Sequence, residues 1–237
     1  MQAQQTADPQ RIVSVYRPRV DDCDRLWFID TGVLEFPNNR IVVQPPSIWI
    51  VNLKDDTLLR RFEIPVNVFP SSNGEGRGLV SLTVDDPDGT CTNSFAYLTD
   101  WLNSRFTVYS MQQNKAWAVD HNYFHFDPLY GNFNVGGFQF SRRDGLFSIA
   151  LSHRLSNGYK IAFFHAMVSN AEFVVSTEIL RNETLATRTY HGMDFKVNGT
   201  ILLSVKLTLI DFSCWGSEAT TSRKPEFTFL IPKRELC

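Results

Sequence analysis

The chain lacks the features that mark membrane and nucleic-acid-binding proteins. None of its apolar runs approaches the ~20 residues that a membrane-spanning helix needs. Its formal net charge is only -2, so there is no excess of Lys and Arg to attract nucleic acid or an anionic lipid surface. The sequence therefore predicts no insertion into a membrane and no nucleic-acid partner.

The start of the chain lacks the apolar core of a secretory signal peptide. Taken literally, this absence would keep the protein in the cytosol. Two glycosylation sequons, beginning at Asn182 and Asn198, indicate the opposite, because glycans of this kind are added to secreted proteins. From the residues alone the compartment stays open.

Cysteine is scarce, and its spacing excludes the common metal sites. The four residues are Cys23, Cys91, Cys214 and Cys237, with no Cys-x-x-Cys pair among them. A disulfide is the better interpretation, although four cysteines allow three connectivities. We favour Cys23 with Cys91, because each directly precedes an apolar strand and these strands would lie in neighbouring sheets. No metal is expected.

The common catalytic fingerprints are also missing. The chain has no Gly-x-Ser-x-Gly, no phosphate-binding loop and no dinucleotide fingerprint. The acidic segment 85–89 starts like a calcium-binding loop, which needs a carboxylate at its twelfth position. That position is Ala96 if the loop begins at Asp85 and Tyr97 if it begins at Asp86, and neither side chain has a carboxylate. We interpret it as a plain turn and expect no cofactor. His121 and His125 are interpreted as loop histidines, since no third metal ligand is evident.

Long amphipathic helical windows are scarce, while short apolar runs bounded by turn residues are frequent. Each of the four main runs is followed by a second strand-like run, a repetition typical of a β-propeller. We expect these runs to be the buried inner strands of successive blades. An ordinary β-sandwich is the alternative. The four runs are RLWFID at 25–30, FAYLTD at 95–100, KIAFFH at 160–165 and ILLSV at 201–205.

Several segments also resemble the insect Yellow and major royal jelly protein family. The resemblance extends through most of residues 11–215, in the order and spacing typical of that family. The segments are DRLWFIDTG at 24–32, PP at 45–46, FAYLTD at 95–100, GNFNVGG at 131–137, DGLF at 144–147, STEILRNE at 176–183 and SCW at 213–215.

The resemblance implies an all-β fold, a six-bladed β-propeller that is incomplete here, with about four blades. On this interpretation residues 1–10 are a disordered N-terminal segment, 11–215 a partial propeller and 216–237 a divergent C-terminal tail. The family's first blade, signal peptide and last blade are expected to be missing. Members of the family are secreted, so an extracellular monomer is expected.

The resemblance also implies a function in cuticle pigmentation or another melanin-linked process. The protein would bind a small catechol or indole amine, or it would be an isomerase that converts dopachrome. A structural or nutrient protein without a ligand is the third possibility. The candidate ligand-binding residues are His165, Asp30, Asp100, Tyr97 and Phe147.

Each candidate has an alternative structural interpretation. Asp30 and Asp100 end equivalent strands, where Asp commonly caps backbone N–H groups. Tyr97 and Phe147 offer flat faces to an aromatic ligand, but aromatic residues on strands more often fill the core. His165 ends a run that we place near the propeller axis, and it is otherwise a hydrogen-bonded core residue.

Overall fold

Antiparallel β-strands dominate the structure, a computed structural model that describes residue 8 and residues 10–36, 39–69 and 78–200. Most of the N-terminal segment, the strand pair expected at 201–210, Cys214, Cys237 and the C-terminal tail lie outside the described residues. Within the described part, no helix is long and apolar enough to cross a membrane.

Sixteen strands are defined in the described residues. They are β1 Val15–Val20, β2 Arg25–Asp30, β3 Val33–Phe36, β4 Asn39–Val42, β5 Ser47–Asn52, β6 Thr57–Glu63, β7 Leu79–Asp85, β8 Phe95–Asp100, β9 Arg105–Ser110, β10 Lys115–Asp120, β11 Asn132–Val135, β12 Phe138–Ser141, β13 Leu146–Leu151, β14 Ile161–Ala166, β15 Ala171–Ser176 and β16 Phe195–Thr200. Two short helices, α1 Thr177–Arg181 and α2 Glu183–Ala186, lie between β15 and β16.

The strands form three four-stranded antiparallel sheets, in the orders β1-β2-β5-β6, β7-β8-β9-β10 and β13-β14-β15-β16. A β3–β4 hairpin is inserted in the first sheet, and a β11–β12 hairpin separates the second sheet from the third. The first strands of the sheets approach each other, since β7 contacts both β1 and β13. The three sheets have the all-β, propeller-like arrangement that we expected, and they are the blades formed by the described residues.

One positional prediction is wrong. The runs at 25–30, 95–100 and 160–165 are buried, but they form β2, β8 and β14, the second strand of each sheet rather than the strand nearest the axis. A second strand is paired on both edges and covered on both faces, so it has the nearly continuous apolar pattern that we assigned to the innermost position. His165, on β14, is therefore one strand further from the axis than expected.

Two cores hold the blades together. The core between the first and second sheets is built around Trp27, Ile48, Leu82 and Tyr109. The core between the second and third sheets is largely aromatic and includes Phe106, Trp117, Phe124, Phe164 and Phe195. Each aromatic side chain buries a large apolar area, and eight of the chain's 19 Phe are buried in the described residues.

The blades have two distinct ends. We call one the cystine end, where β7 finishes at Asp85 and where Cys23 and Cys91 lie. The other is the hairpin end, where β2 and β8 finish and from which both hairpins project. At the hairpin end Gly32 has a φ of +67°, and a Cβ there would lie 1.9 Å from the Gln44 carbonyl oxygen. Only glycine fits this close approach of two loop backbones.

Candidate functional site

A disulfide joins two blades at the cystine end. Cys23, in the turn between β1 and β2, is bonded to Cys91 in the loop between β7 and β8, with a Cα–Cα distance of 5.9 Å. The pairing that we favoured from the sequence is confirmed. It fixes the turn of the first blade against the loop of the second.

Arg25 makes a second link between the same blades. Its guanidinium pairs with Asp21 at 2.7 Å, and both side chains are almost fully buried. It also donates to the Cys91 carbonyl oxygen at 2.6 Å and to the Ser94 hydroxyl at 2.7 Å. A buried charge is tolerated when it is paired and hydrogen-bonded in this way.

A cluster of four polar side chains lies at the same end, between the second and third blades. Asp85 is fully buried. The Tyr97 hydroxyl donates to its Oδ2 at 3.1 Å, and Lys160 Nζ lies 2.9 Å from its Oδ1. Arg181 donates to the same carboxylate through Nε, at 3.1 Å, and through a second nitrogen. We call Asp85, Tyr97, Lys160 and Arg181 the Asp85 cluster.

The Asp85 cluster carries one carboxylate and two cations. Burial, followed by the charge of Asp85, raises the pKa of Tyr97 well above its ordinary value of 10.0, so its hydroxyl stays protonated and donates. Lys160 and Arg181 both form ion pairs with the Asp85 carboxylate. The side chain of Arg181 is 9% exposed and that of Lys160 21% exposed. Further carboxylates lie on both sides of the cluster, because Asp86 lines a cleft with Lys160 and Glu178 lines a cleft with Arg181.

A cleft of ≈ 540 Å³ opens beside this cluster, between the second and third blades. We call it the inter-blade cleft. Arg181 lines it, and its guanidinium lies 5.6 Å from the Phe95 ring centre and 5.5 Å from that of Tyr159, both of which also line the cleft. Glu178 and Asn182, from the α1 region, are exposed at its rim. The cleft thus combines aromatic walls, a cationic base and a polar rim.

Two of the sequence-predicted ligand residues cap loops at the hairpin end. Asp30 is fully buried and accepts hydrogen bonds from the backbone N–H groups of Val13, Ser14 and Gly32, at 2.9 to 3.0 Å. Asp100 accepts from the backbone N–H groups of Leu102 and Asn103. Burial raises the pKa of Asp100 above its ordinary value. These contacts match the capping interpretation of both residues.

Two other predicted residues also lie towards the hairpin end, apart from the inter-blade cleft. The His165 ring nitrogen Nδ1 is 3.0 Å from a Glu172 carboxylate oxygen, and His165 is 7% exposed. Phe147, on β13, packs against Trp101 with 6.0 Å between ring centres. Tyr97 is the one predicted ligand residue that belongs to the Asp85 cluster. The five residues therefore do not form one site.

The sequence interpretation missed Asp85, Lys160 and Arg181. Asp85 was assigned to a plain turn with the four residues after it, whereas it is the last residue of a strand. The only local signal was a charged residue at the end of the β7 sequence. The partners are 75 and 96 positions away along the chain, and no spacing rule links them to Asp85.

The two loop histidines also differ in environment. His121 stacks on Phe195 with 4.2 Å between ring centres, and burial, followed by the nearby His191, lowers its pKa below the ordinary value. Its Nδ1 accepts a hydrogen bond from the Tyr123 backbone N–H at 3.2 Å. His125 is exposed. Within the described part of the chain, the one cluster of metal-ligand residue types contains the two bonded cysteines.

Both sequon asparagines are exposed. Asn182 directly precedes α2, and its Oδ1 accepts a hydrogen bond from the Leu185 backbone N–H. The side-chain nitrogen, to which a glycan would be attached, takes no part in this hydrogen bond. Asn198 lies on β16, the last strand of its sheet.

Comparison with known proteins gives a consistent picture. Residues 13–207 match the family model described as "Major royal jelly protein". The chain is 46% identical over 197 residues to "L-dopachrome tautomerase yellow-f" of Drosophila melanogaster, covering 83% of this chain and 45% of that relative. It is 36% identical over 183 residues to "Protein yellow" of Drosophila yakuba and of Drosophila melanogaster, covering 76% of this chain and 33% of each relative. The chain thus spans less than half the length of these relatives.

Proposed function

This chain belongs to the major royal jelly protein family, and from that premise we propose that it holds a small catechol or indole compound in a melanin-linked process. The relative that is 46% identical is named for its action on dopachrome, so dopachrome is the first compound to test. Because the chain spans less than half of that relative, the activity proposed here is that of the whole protein to which these blades belong.

The inter-blade cleft is the observation that carries the proposal. Its volume of ≈ 540 Å³ lies within the range of small-molecule sites. Phe95 and Tyr159 provide aromatic surface for a flat ring, and Arg181 and Glu178 provide charges of both signs. A compound that combines an aromatic ring with ionised groups matches this lining.

Calorimetric titration of the purified protein with catechol and indole compounds, L-dopa, dopamine and serotonin among them, tests the binding role. We expect saturable heat with at least one of them. A folded sample that gives no heat with any compound would contradict binding and favour the structural or nutrient role that we considered from the sequence.

Conversion of dopachrome is the second candidate, favoured by the name of the 46% identical relative. The reaction is an isomerisation in which two protons leave carbons of the five-membered ring and each of the two quinone oxygens gains one, so it needs a base and hydrogen-bond donors at the developing oxyanion. Mixing the protein with freshly prepared dopachrome should accelerate the loss of its colour. A rate equal to that of buffer with heat-denatured protein would exclude conversion and leave binding alone.

We also propose that the protein is extracellular and glycosylated. A disulfide between two blades suits an oxidising compartment, and both sequon asparagines are exposed. Expressed in insect cells, the protein should lose mass on treatment with an N-glycosidase. The matched variants Asn182→Gln and Asn198→Gln should each remove one glycan, and an unchanged mass in the wild-type protein would contradict this proposal.

A further inference from the structure

A glycosylation sequon forms part of the rim of the inter-blade cleft. Its three residues, Asn182, Glu183 and Thr184, all line the cleft, and Asn182 and Thr184 are exposed to solvent. The other sequon begins at Asn198, which lies on β16 and outside the cleft lining. A glycan at Asn182 would therefore stand beside the cleft, whereas a glycan at Asn198 would not.

The asparagine of the rim sequon is held in a fixed position. Its backbone N–H donates to the Ile179 carbonyl oxygen at 3.3 Å, and its own carbonyl oxygen accepts from the Ala186 N–H at 2.8 Å. Its side-chain Oδ1 accepts from the Leu185 backbone N–H at 3.2 Å. A glycan is attached to the side-chain nitrogen, so all three hydrogen bonds are compatible with glycosylation. The attachment point thus keeps its place when the glycan is present.

The same sequon contacts the second blade. Glu183 forms an ion pair with Lys115, the first residue of β10, at 2.6 Å. Gln113, in the turn that precedes β10, lines the cleft from the second blade. The mouth of the cleft therefore lies between Gln113 on one side and the glycan attachment point on the other.

The size of a glycan gives this position its effect. N-linked glycans are bulky and strongly hydrated, and their core is larger than the catechol and indole compounds proposed for the cleft. A glycan that moves about a fixed point at the mouth obstructs the path of a compound on its way in or out. Binding that must wait for such a group to move aside has a lower association rate.

We infer that a glycan on Asn182 covers the mouth of the inter-blade cleft and slows both the entry and the exit of ligands. The contacts inside the cleft, with Arg181, Phe95 and Tyr159, are the same with and without the glycan. Both rates therefore fall together, and the equilibrium affinity stays within about twofold. The inference rests on the proposed function and the proposed glycosylation, and it adds the regulation of that same site.

Two substitutions of Thr184 separate the glycan from the residues of the rim. Thr184→Val removes the sequon but keeps Asn182 with its hydrogen bonds, whereas Thr184→Ser keeps the sequon and its glycan. Asn198→Gln, which removes the other sequon, is the control for the loss of any glycan. Mass spectrometry of protein from insect cells shows which asparagines are modified. A wild-type protein without a glycan at Asn182 would overturn the inference.

Nitration by tetranitromethane measures access to the cleft without a ligand. Tyr159 is half-buried and lines the cleft. We expect it to react about threefold faster or more in Thr184→Val than in the wild-type, Thr184→Ser and Asn198→Gln proteins, because the reagent no longer has to pass a glycan. Tyr16, 38% exposed on β1 of the first blade, should react equally in all four. Equal nitration of Tyr159 in Thr184→Val and the wild-type protein would overturn the inference.

Stopped-flow mixing with whichever of L-dopa, dopamine and serotonin binds in the calorimetric titration measures ligand exchange. We expect association and dissociation to be about threefold faster or more in Thr184→Val, with the affinity within about twofold of wild type. Binding with unchanged rates in Thr184→Val would overturn the inference while the proposed function stands. If no compound binds but the glycan still protects Tyr159 from nitration, the proposed function is wrong and the covered mouth is supported.

Discussion

Replacing Asp85 with Asn should lower the free energy of unfolding by about 3 kcal/mol or more, because it leaves two cations together without their carboxylate. Asn has nearly the same shape as Asp, and its side-chain oxygen still accepts a hydrogen bond from the Tyr97 hydroxyl. The substitution therefore tests the effect of the negative charge. The loss of stability includes the repulsion between Lys160 and Arg181. It also includes the cost of removing these two cations from water, which their attraction to Asp85 no longer offsets. Urea denaturation followed by tryptophan fluorescence measures the difference.

The matched control for this prediction is Asp120→Asn. Asp120 also pairs with an arginine, Arg105, at 2.9 Å, but its side chain is 63% exposed. Ion pairs of this kind contribute less than about 1 kcal/mol. If Asp85→Asn and Asp120→Asn shift the urea midpoint equally, the cluster does not stabilise the contact between the second and third blades.

Removing the disulfide should have an effect of similar size. The Cys23–Cys91 bond closes a loop with a sequence separation of 68, and the loss of such a constraint on the unfolded chain costs about 4 kcal/mol. The double variant Cys23→Ser/Cys91→Ser should therefore unfold at a distinctly lower urea concentration than the oxidised wild-type protein. Changing both residues avoids leaving a single reactive thiol.

A reductant supplies the control for the disulfide prediction. Reduction of the wild-type protein should move its midpoint towards that of the double variant, while the double variant should respond much less. A double variant as stable as the oxidised wild-type protein would show that Arg25 and the apolar core hold the first and second blades together without the bond.

The fold class was accessible from the sequence because it depends on local patterns. Short apolar runs such as that of β8, separated by turn residues, indicate strands without any knowledge of their partners. The disulfide could also be anticipated, since Cys23 and Cys91 have equivalent positions before β2 and β8. What was wrong was the radial order, because a continuous apolar pattern reports burial and not distance from the axis.

The candidate site was largely inaccessible to sequence reasoning. Its charges come from the end of β7, the residue before β14 and the end of α1, and only the packing of two blades brings them together. Conversely, Asp30 and Asp100 have the residue type of a binding site, but their oxygens are used by neighbouring backbone N–H groups. Residue type alone does not separate a capping carboxylate from one that is available to a ligand.

The central claim is that the cleft between the second and third blades is the ligand site of this protein. The most direct measurement is a crystal structure of the protein with whichever of L-dopa, dopamine and serotonin binds in the calorimetric titration. We predict electron density for the ligand in the inter-blade cleft, beside Tyr159 and Phe95. Density between the innermost strands β1, β7 and β13, with the inter-blade cleft occupied by solvent alone, would contradict the claim.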